Sequence, residues 1–348
     1  MTRPTHSTFA LLASLALFAC SSTDGTATTP GTADGGGTGG SGAGGGGTGG
    51  GGTKDGGGTG SHLEHVIVIA FENHDETSVI GNTTDAPYIN GELLPRYASA
   101  SNFQDTLPIL TPSEPHYVLM EAGTATFSDA TFTNDAVPSA ANSTASTDHL
   151  VNQLEAANHT WMSYQEGMNA ATGPCPIVSD GFYQPKHDPF LFFQDVAGNP
   201  PDQNAARCVA HHAPIEAFFD AIAGNGDLPD YAFVTPNQCN DMHGQGGCPN
   251  TNLVNSGDAW LADELPGVIS YAESHHAAIF LVWDEGELSP TIPFVAVGPD
   301  VKAGYVSDVK VTHGSLIRTV ENVFGLPALS TVATENDFSD FFEGGALP

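Results

Sequence analysis

The sequence predicts an α/β fold built around a mostly parallel sheet, and three observations carry that expectation. First, Val66–Phe71 and Ala277–Trp283 are apolar runs with no polar break. A strand that is apolar at both parities is covered on both faces, as strands of parallel sheets are. Second, a segment with helical spacing, Ile215–Ile222, comes ahead of another short apolar run, Tyr231–Val234. Third, three of these runs stop in clusters of carboxylate, amide and imidazole groups. Glu72, Asn73, His74 and Asp75 follow the first. Asn237, Asn240, Asp241 and His243 follow the second, and Asp284 and Glu285 follow the third. Ligands of open α/β sheets bind at the carboxyl ends of the strands.

The 348-residue chain has 8 Lys+Arg against 40 Asp+Glu, a formal charge of −32. Nucleic-acid binding through a basic surface is excluded by that balance, and no nucleic-acid partner is expected. The same field repels an anionic substrate such as a phosphate ester, so a site for one needs bound cations. Solubility accounts for most of the charge otherwise.

Residues 1–19 carry Arg3 and His6 and then an apolar stretch, Phe9–Ala19. That stretch is too short to span a membrane as a helix and reads as a signal peptide. Leu17-Phe18-Ala19-Cys20 resembles the lipobox of bacterial lipoproteins. The resemblance implies a lipid on Cys20 and an exported chain anchored to the bacterial envelope, with plain secretion as the alternative. Residues 20–61 are almost wholly Gly, Thr, Ser and Ala beyond that cysteine, a composition that builds no core and reads as a disordered linker. Roughly forty such residues reach on the order of 35 Å. The folded domain is expected over residues 62–348. Export would put Cys175, Cys208, Cys239 and Cys248 in a disulfide-permissive compartment. Of the three pairings possible, proximity in sequence favours Cys175–Cys208 and Cys239–Cys248.

Within that domain, Tyr88–Ala100 has partly helical spacing, against which Pro95 counts. Pro108 and Pro112 exclude a helix interior before Pro115, which suits a helix start. A helix is expected over His116–Glu121, with Gly123 near its end. Ser113 then sits at the helix N-terminus, where free N–H groups and the dipole favour an anion. A hydroxyl held there beside a metal is a candidate nucleophile; on position alone, an N-cap role is the commoner one. Thr124–Asn142 reads as a surface loop, Thr147–Ala157 as a helix, and Trp161–Tyr164 as a strand or its edge. Gly173–Phe193 is a loop rich in aromatic residues that either lines a pocket or packs. Asp241 and His243, two apart, can point the same way from extended backbone as metal ligands, or can belong to a loop braced by a disulfide. Asp284 and Glu285 at the mouth of a buried strand repel each other unless a cation lies between them. Ile292–Gly298 reads as a fourth strand, and His313 precedes a helix over Gly314–Phe324. Three carboxylate-bearing strand ends, with His313, point to one shared metal site at one edge of the sheet.

Eight short motifs occur in one order: Phe-Glu-Asn-His (71–74), Thr-Pro-Ser-Glu-Pro-His-Tyr (111–117), Tyr-Gln-Glu-Gly-Met (164–168), Lys-His-Asp-Pro-Phe (186–190), Pro-Asn-Gln-Cys-Asn-Asp-Met-His (236–243), Gly-Asp-Ala-Trp (257–260), Trp-Asp-Glu-Gly (283–286) and Val-Thr-His-Gly-Ser-Leu-Ile-Arg-Thr (311–319). The set resembles the phosphoesterase family of bacterial and fungal acid phosphatases and bacterial phospholipases C, part of the alkaline-phosphatase-like superfamily. The resemblance implies a three-layer α/β/α sandwich and a metal-dependent phosphomonoesterase working through a phosphoserine. It implies Ser113 as nucleophile, His116 and Tyr117 at the substrate, and Glu72, Asn73, Asp284 and Glu285 as metal ligands. Asn237, Asp241 and His243 stand where the wider superfamily places ligands of a second metal, and His313 matches a late histidine ligand. Asn237 replaces an acid found in related branches, His116 replaces an asparagine, and Thr111 stands where a histidine is common. Oxygen-rich ligands lean toward Ca²⁺, Mg²⁺ or Mn²⁺ over a zinc pair. Arg96, Lys186 and Arg318 are among few cations, so side-chain clamps on the substrate are expected to contribute little. A phospholipase C or phosphodiesterase is the rival reading, supported by the expected tether and by the aromatic loop; a non-catalytic metal-binding lipoprotein is a third.

Overall fold

The apolar run that opens the folded region becomes the strand His65–Phe71 (β1), with Val66 to Phe71 fully buried. The computed structural model describes residues 62–224 and 226–348. The expected signal peptide, the lipid-bearing Cys20 and the linker lie outside the described residues. Seven further strands join β1 in one sheet: Ala98–Ala100 (β2), Trp161–Gln165 (β3), His212–Pro214 (β4), Tyr231–Thr235 (β5), Ala277–Trp283 (β6), Phe294–Val297 (β7) and Tyr305–Ser307 (β8). Their order is β4-β3-β5-β1-β6-β7-β2-β8. Every pairing is parallel except those of β7, which runs against β6 and β2. The chain is thus a mixed α/β fold on an eight-stranded, mostly parallel sheet. Side chains of both parities are buried on β1 and β6, so both faces of the sheet centre are covered.

The register between β1 and β6 positions the chemistry. Phe71 pairs with Trp283, so Glu72 and Asp284 leave the sheet side by side. Two backbone bonds lock that exit: Asp284 N–H donates to Phe71 O at 3.0 Å, and Glu72 N–H to Asp241 O at 2.9 Å. A slip of one residue would turn every side chain of the strand to the opposite face.

The helix Ser113–Ala122 is buried along its whole length and packs against the helix His313–Val323. It starts three residues earlier than expected, at the serine itself, and ends at Gly123 in left-handed conformation (φ 66). Thr312 and Ser315 form a reciprocal capping box, which starts the second helix at His313. Ala98–Ala100, expected to be helical, is instead β2. Its small side chains fit between β7 and β8, and those tertiary pairings override local propensity. The two expected disulfides, Cys175–Cys208 and Cys239–Cys248, are both formed.

The longest helix, Leu253–Ser274, packs on β6 and on the helix Ile215–Ile222, and its sequence disguises it. Gly257, Pro266 and Gly267 all read as breakers. Gly257 is needed for close approach: a Cβ there would sit 2.4 Å from Met242 Cγ and 3.0 Å from Asn240 O. The helix therefore supports the loop that carries Asp241. Gly257→Ala should destabilise the protein by about 1–3 kcal/mol through overpacking, read as a lowered urea midpoint, and should weaken divalent-cation affinity because the loop must move.

Candidate metal-centred active site

Three loops and one helix start meet beyond the carboxyl ends of β1, β5 and β6. Glu72, Asp241 and Asp284 are fully buried there, and Ser113 nearly so. The Ser113 hydroxyl donates to Glu72 Oε2 at 2.9 Å and lies 3.5 Å from Glu285 Oε1. Asp284 Oδ1 accepts from Asn73 N–H at 2.9 Å and from Glu285 N–H at 2.7 Å, which aims its second oxygen into the site. Asn73 reaches that position through a left-handed backbone (φ 50), one of the conformations asparagine tolerates best.

Potential ligand atoms collect in two groups. Glu72, His187 and His243 form one; His116, Asp284 and Glu285 form the other; within each, the donor atoms lie within 4.8 Å of one another. His187 Nε2 is 3.2 Å from Glu72 Oε1, and its Nδ1 is 3.4 Å from Asp241 Oδ2. The Nε2 contact is poorly directed, since His187 Nε2 and Glu72 Oε1 both lack a hydrogen-bond partner. Asp241 Oδ2, Asp284 Oδ2 and the Tyr117 hydroxyl also lack one. Orphaned buried polar atoms at this density are what a missing ligand leaves behind. Nitrogen and oxygen donors of this kind fit a divalent cation.

The protonation equilibria point the same way. Burial, and then repulsion from Asp241 and Glu72 respectively, holds the Glu72 and Asp284 carboxyls well above the usual range. Burial raises Asp241 likewise, with Asp284 adding to it. Burial and the Asp284 charge push Glu285 to about 8. Burial and the neighbouring Lys186 push the His187 imidazole far down, so it stays neutral and free to ligate. Burial alone would lower His116, but its hydrogen bond to Asp105 and the charges of Asp284 and Glu285 outweigh that and set it at about 9. As an imidazolium it offsets charge within its group, leaving Asp284 and Glu285 as the donors there.

Several expected positions differ in detail. His116 was expected to hydrogen-bond a phosphoryl group, but both ring nitrogens are engaged, with Pro112 O at 3.0 Å and Asp105 Oδ2 at 3.1 Å. Tyr117 stacks on the His187 ring, centroids 5.1 Å apart, beside Glu72. Asn237 is turned into its own loop, where Oδ1 accepts from Cys239 N–H at 2.9 Å. His243 N–H donates to Asp241 Oδ1 at 2.8 Å. His313 is buried against the His116 ring, its Nε2 2.9 Å from Trp283 O, and falls in neither ligand group. Most of the aromatic loop packs: Tyr183, Phe190, Phe192 and Phe193 are buried core residues.

Two residues of that loop were not singled out for the site. His187 stood only in the aromatic loop and in the motif Lys-His-Asp-Pro-Phe, far in sequence from every carboxylate-bearing strand end, and no local spacing marks it as a ligand. Lys186 was named among the few cations whose clamps on the substrate were expected to contribute little. Instead it pairs with Asp135 at 2.5 Å and stands close enough to Glu72 and Asp284 for their charges, with Asp135, to overcome the lowering effect of burial and raise its ammonium. Arg96 and Arg318 pair elsewhere, with Glu273 and Glu321.

The Phosphoesterase family model matches residues 91–327. Phosphatidylinositol-3-phosphatase of Mycobacterium tuberculosis is 29% identical over 268 residues, covering 76% of this chain and 77% of that protein. Acid phosphatase of Aspergillus fumigatus is 29% identical over 63% of this chain and 47% of its own length. The phosphate-repressible acid phosphatase of Penicillium chrysogenum is 25% identical over 78% and 61%. The chain therefore spans about half to three fifths of these fungal relatives. In fold, it resembles a protein in the alkaline phosphatase superfamily from Vibrio parahaemolyticus, with TM-score 0.50, 13% identity, and coverage of 78% of this chain and 68% of that one.

Proposed function

The chain belongs to the Phosphoesterase family, and from that premise we propose that it is a divalent-metal-dependent phosphomonoesterase with Ser113 as nucleophile. The observation that carries the reading is the Ser113 hydroxyl placed on Glu72, within a shell of buried carboxylates and imidazoles that lack partners. Glu72, His187, His243 and Asp241 would hold a cation on one side, Asp284 and Glu285 on the other, with Asn73 beside them. A bound cation supplies positive charge to the phosphoryl oxygens and offsets the repulsion among the carboxylates. The donor set holds two imidazoles, His187 and His243, among its carboxylates, so it also admits softer ions than Ca²⁺ or Mg²⁺.

In the proposed reaction, Ser113 Oγ attacks phosphorus as its proton passes to Glu72 Oε2, the atom that already accepts it. The bond from phosphorus to the alcohol oxygen breaks in line, and that oxygen leaves with a proton taken from water. Water then cleaves the phosphoserine, releasing phosphate and restoring the hydroxyl. The helix N-terminus beneath Ser113 favours the anion throughout.

Lys186 argues for monoesters over diesters. A monoester dianion has a second charged oxygen for the ammonium to meet; a diester has none. The diester reading also loses most of the aromatic loop as a lipid face, since Tyr183, Phe190, Phe192 and Phe193 are buried. A metal-replete assay on matched aryl mono- and diesters tests the proposal: the monoester should turn over faster, and a faster diester would overturn it. Lys186→Ala should lower kcat/KM for the monoester by roughly 10–100-fold, the loss of one charge-assisted hydrogen bond, and Lys186→Arg should restore part of it.

The two disulfides fit an exported protein, and the lipid anchor on Cys20 remains part of this proposal. Among the described residues no helix is long and apolar enough to cross a membrane.

A further inference from the structure

The loop over residues 133–137 is exposed at every position, yet it is pinned to the start of the helix that carries Ser113. Ala136 N–H donates to Glu114 Oε2 at 2.6 Å, and Asn142 Nδ2 donates to the same oxygen at 3.1 Å. Glu114 is fully buried. Held this way, the loop brings the Asp135 carboxylate to two donors at once. Its Oδ1 accepts from the Glu114 backbone N–H at 3.1 Å, and its Oδ2 accepts from the Lys186 ammonium at 2.5 Å.

Those donors are of the kinds a phosphoryl group uses. Glu114 N–H is one of the first-turn groups that a helix leaves free, and it follows directly on Ser113. Lys186 is the ammonium that feels the charges of Glu72 and Asp284. The Asp135 charge itself reaches the site: behind burial and Asp284 it adds to the rise at Glu285, and at His243 it opposes the lowering by burial. A carboxylate that bridges a helix N–H and an ammonium beside the nucleophile has the place and the sign of a substrate oxyanion. The loop is already fastened through Glu114, so holding it does not need the Asp135 carboxylate.

Resting on the phosphomonoesterase reading above, we infer that Asp135 is a resident anion, which the phosphate of the substrate displaces from Glu114 N–H and Lys186 and which returns to both as phosphate leaves. The carboxylate has room to move. The Lys186 side chain is 15% exposed and that of Asp135 36%, so the carboxylate is the outer member of the pair. Both line a surface cavity of about 280 Å³ with Val137, Ser179 and Gln184, into which the carboxylate can turn while the ammonium stays. The exchange swaps one anion for another, so neither donor is left without a partner. Its cost falls on binding, because every ester must first part Asp135 from Lys186, and the same competition speeds the departure of phosphate.

Inorganic phosphate is the probe. It is titrated calorimetrically into the metal-loaded full chain and used as a competitive inhibitor of aryl phosphate turnover. Asp135→Asn should tighten its dissociation constant by about five- to tenfold, the strength of a partly buried charge-assisted bond, and should lower KM for the aryl phosphate in parallel. Asparagine keeps an oxygen for Glu114 N–H, and the bonds from Ala136 and Asn142 to Glu114 remain, so the fold is not at risk; Asp135→Ala should shift phosphate affinity in the same direction. In a Lys186→Ala background the gain from Asp135→Asn should shrink to about twofold or less, because no ammonium is left to contest. Weaker phosphate binding in Asp135→Asn would make Asp135 a holder of Lys186 and overturn the inference. Unchanged binding would overturn it too, as would a gain undiminished by Lys186→Ala, which is plain charge repulsion. Each of these outcomes leaves turnover by the parent standing. No turnover of any ester by the parent would overturn the phosphomonoesterase reading and this inference with it.

Discussion

Ser113→Ala is expected to lower turnover of an aryl phosphate by on the order of 10⁴-fold or more while the melting temperature stays within a few degrees. The serine side chain is buried and its hydroxyl makes contact only with the carboxylates of Glu72 and Glu285. Removing it deletes the nucleophile and leaves the helix start otherwise intact, because Pro112 is the N-cap and provides no side-chain bond that depends on Ser113. Phosphate-ester binding should survive, so KM for residual turnover should change far less than kcat. Steady-state kinetics beside a thermal melt check both halves. Activity retained at more than a tenth of the parent would move the nucleophile elsewhere, with Thr111 the next hydroxyl along the chain.

The second large effect concerns the cation. Chelated protein should melt well below protein supplied with a divalent ion. At a free-ion concentration a hundred times the dissociation constant, linkage gives about 2.7 kcal/mol, or a shift of roughly 5–10 °C for a domain of this size. Asp284→Asn should remove most of that response. It should also raise the melting temperature of the chelated protein, because it takes one negative charge out of a buried cluster while its Oδ1 can still accept from Asn73 and Glu285 N–H. Opposite signs in chelated and metal-supplied samples distinguish a ligand from a structural carboxylate. A structural carboxylate would lose stability in both.

Much of this architecture was legible in the chain itself. Runs such as Val66–Phe71 and Ala277–Trp283 announce central strands because nothing else explains unbroken apolar sequence of that length flanked by acids. The convergence of their carboxylate-bearing ends, Glu72 with Asp284, was legible in the strand-end pattern, and the ordered motifs agreed with it. What stayed hidden has identifiable causes. Leu253–Ser274 is stabilised by packing on β6, and its Gly257 answers a contact with Met242 that no local pattern records. The strand at Ala98–Ala100 is made by its neighbours. His187 lies in a segment whose other conspicuous side chains are core, so its role depends on where Phe190 and its fellows anchor the loop. The placement of Lys186 beside Glu72 and Asp284 was not legible, because charge counts say nothing about placement. One ammonium near buried carboxylates matters more than several on the surface.

The in-register pairing of β1 with β6 has a consequence for how the protein comes into being. Asn73 and Asp284, joined by a hydrogen bond, are 211 residues apart in sequence. A fragment that stops short of β6 lacks Asp284 and Glu285, so the proposed site is whole only once the last quarter of the chain has been synthesised and threaded into the sheet. Full ion affinity should therefore follow assembly of the sheet centre, and a truncation ending before Ala277 should bind added metal far more weakly than the whole chain.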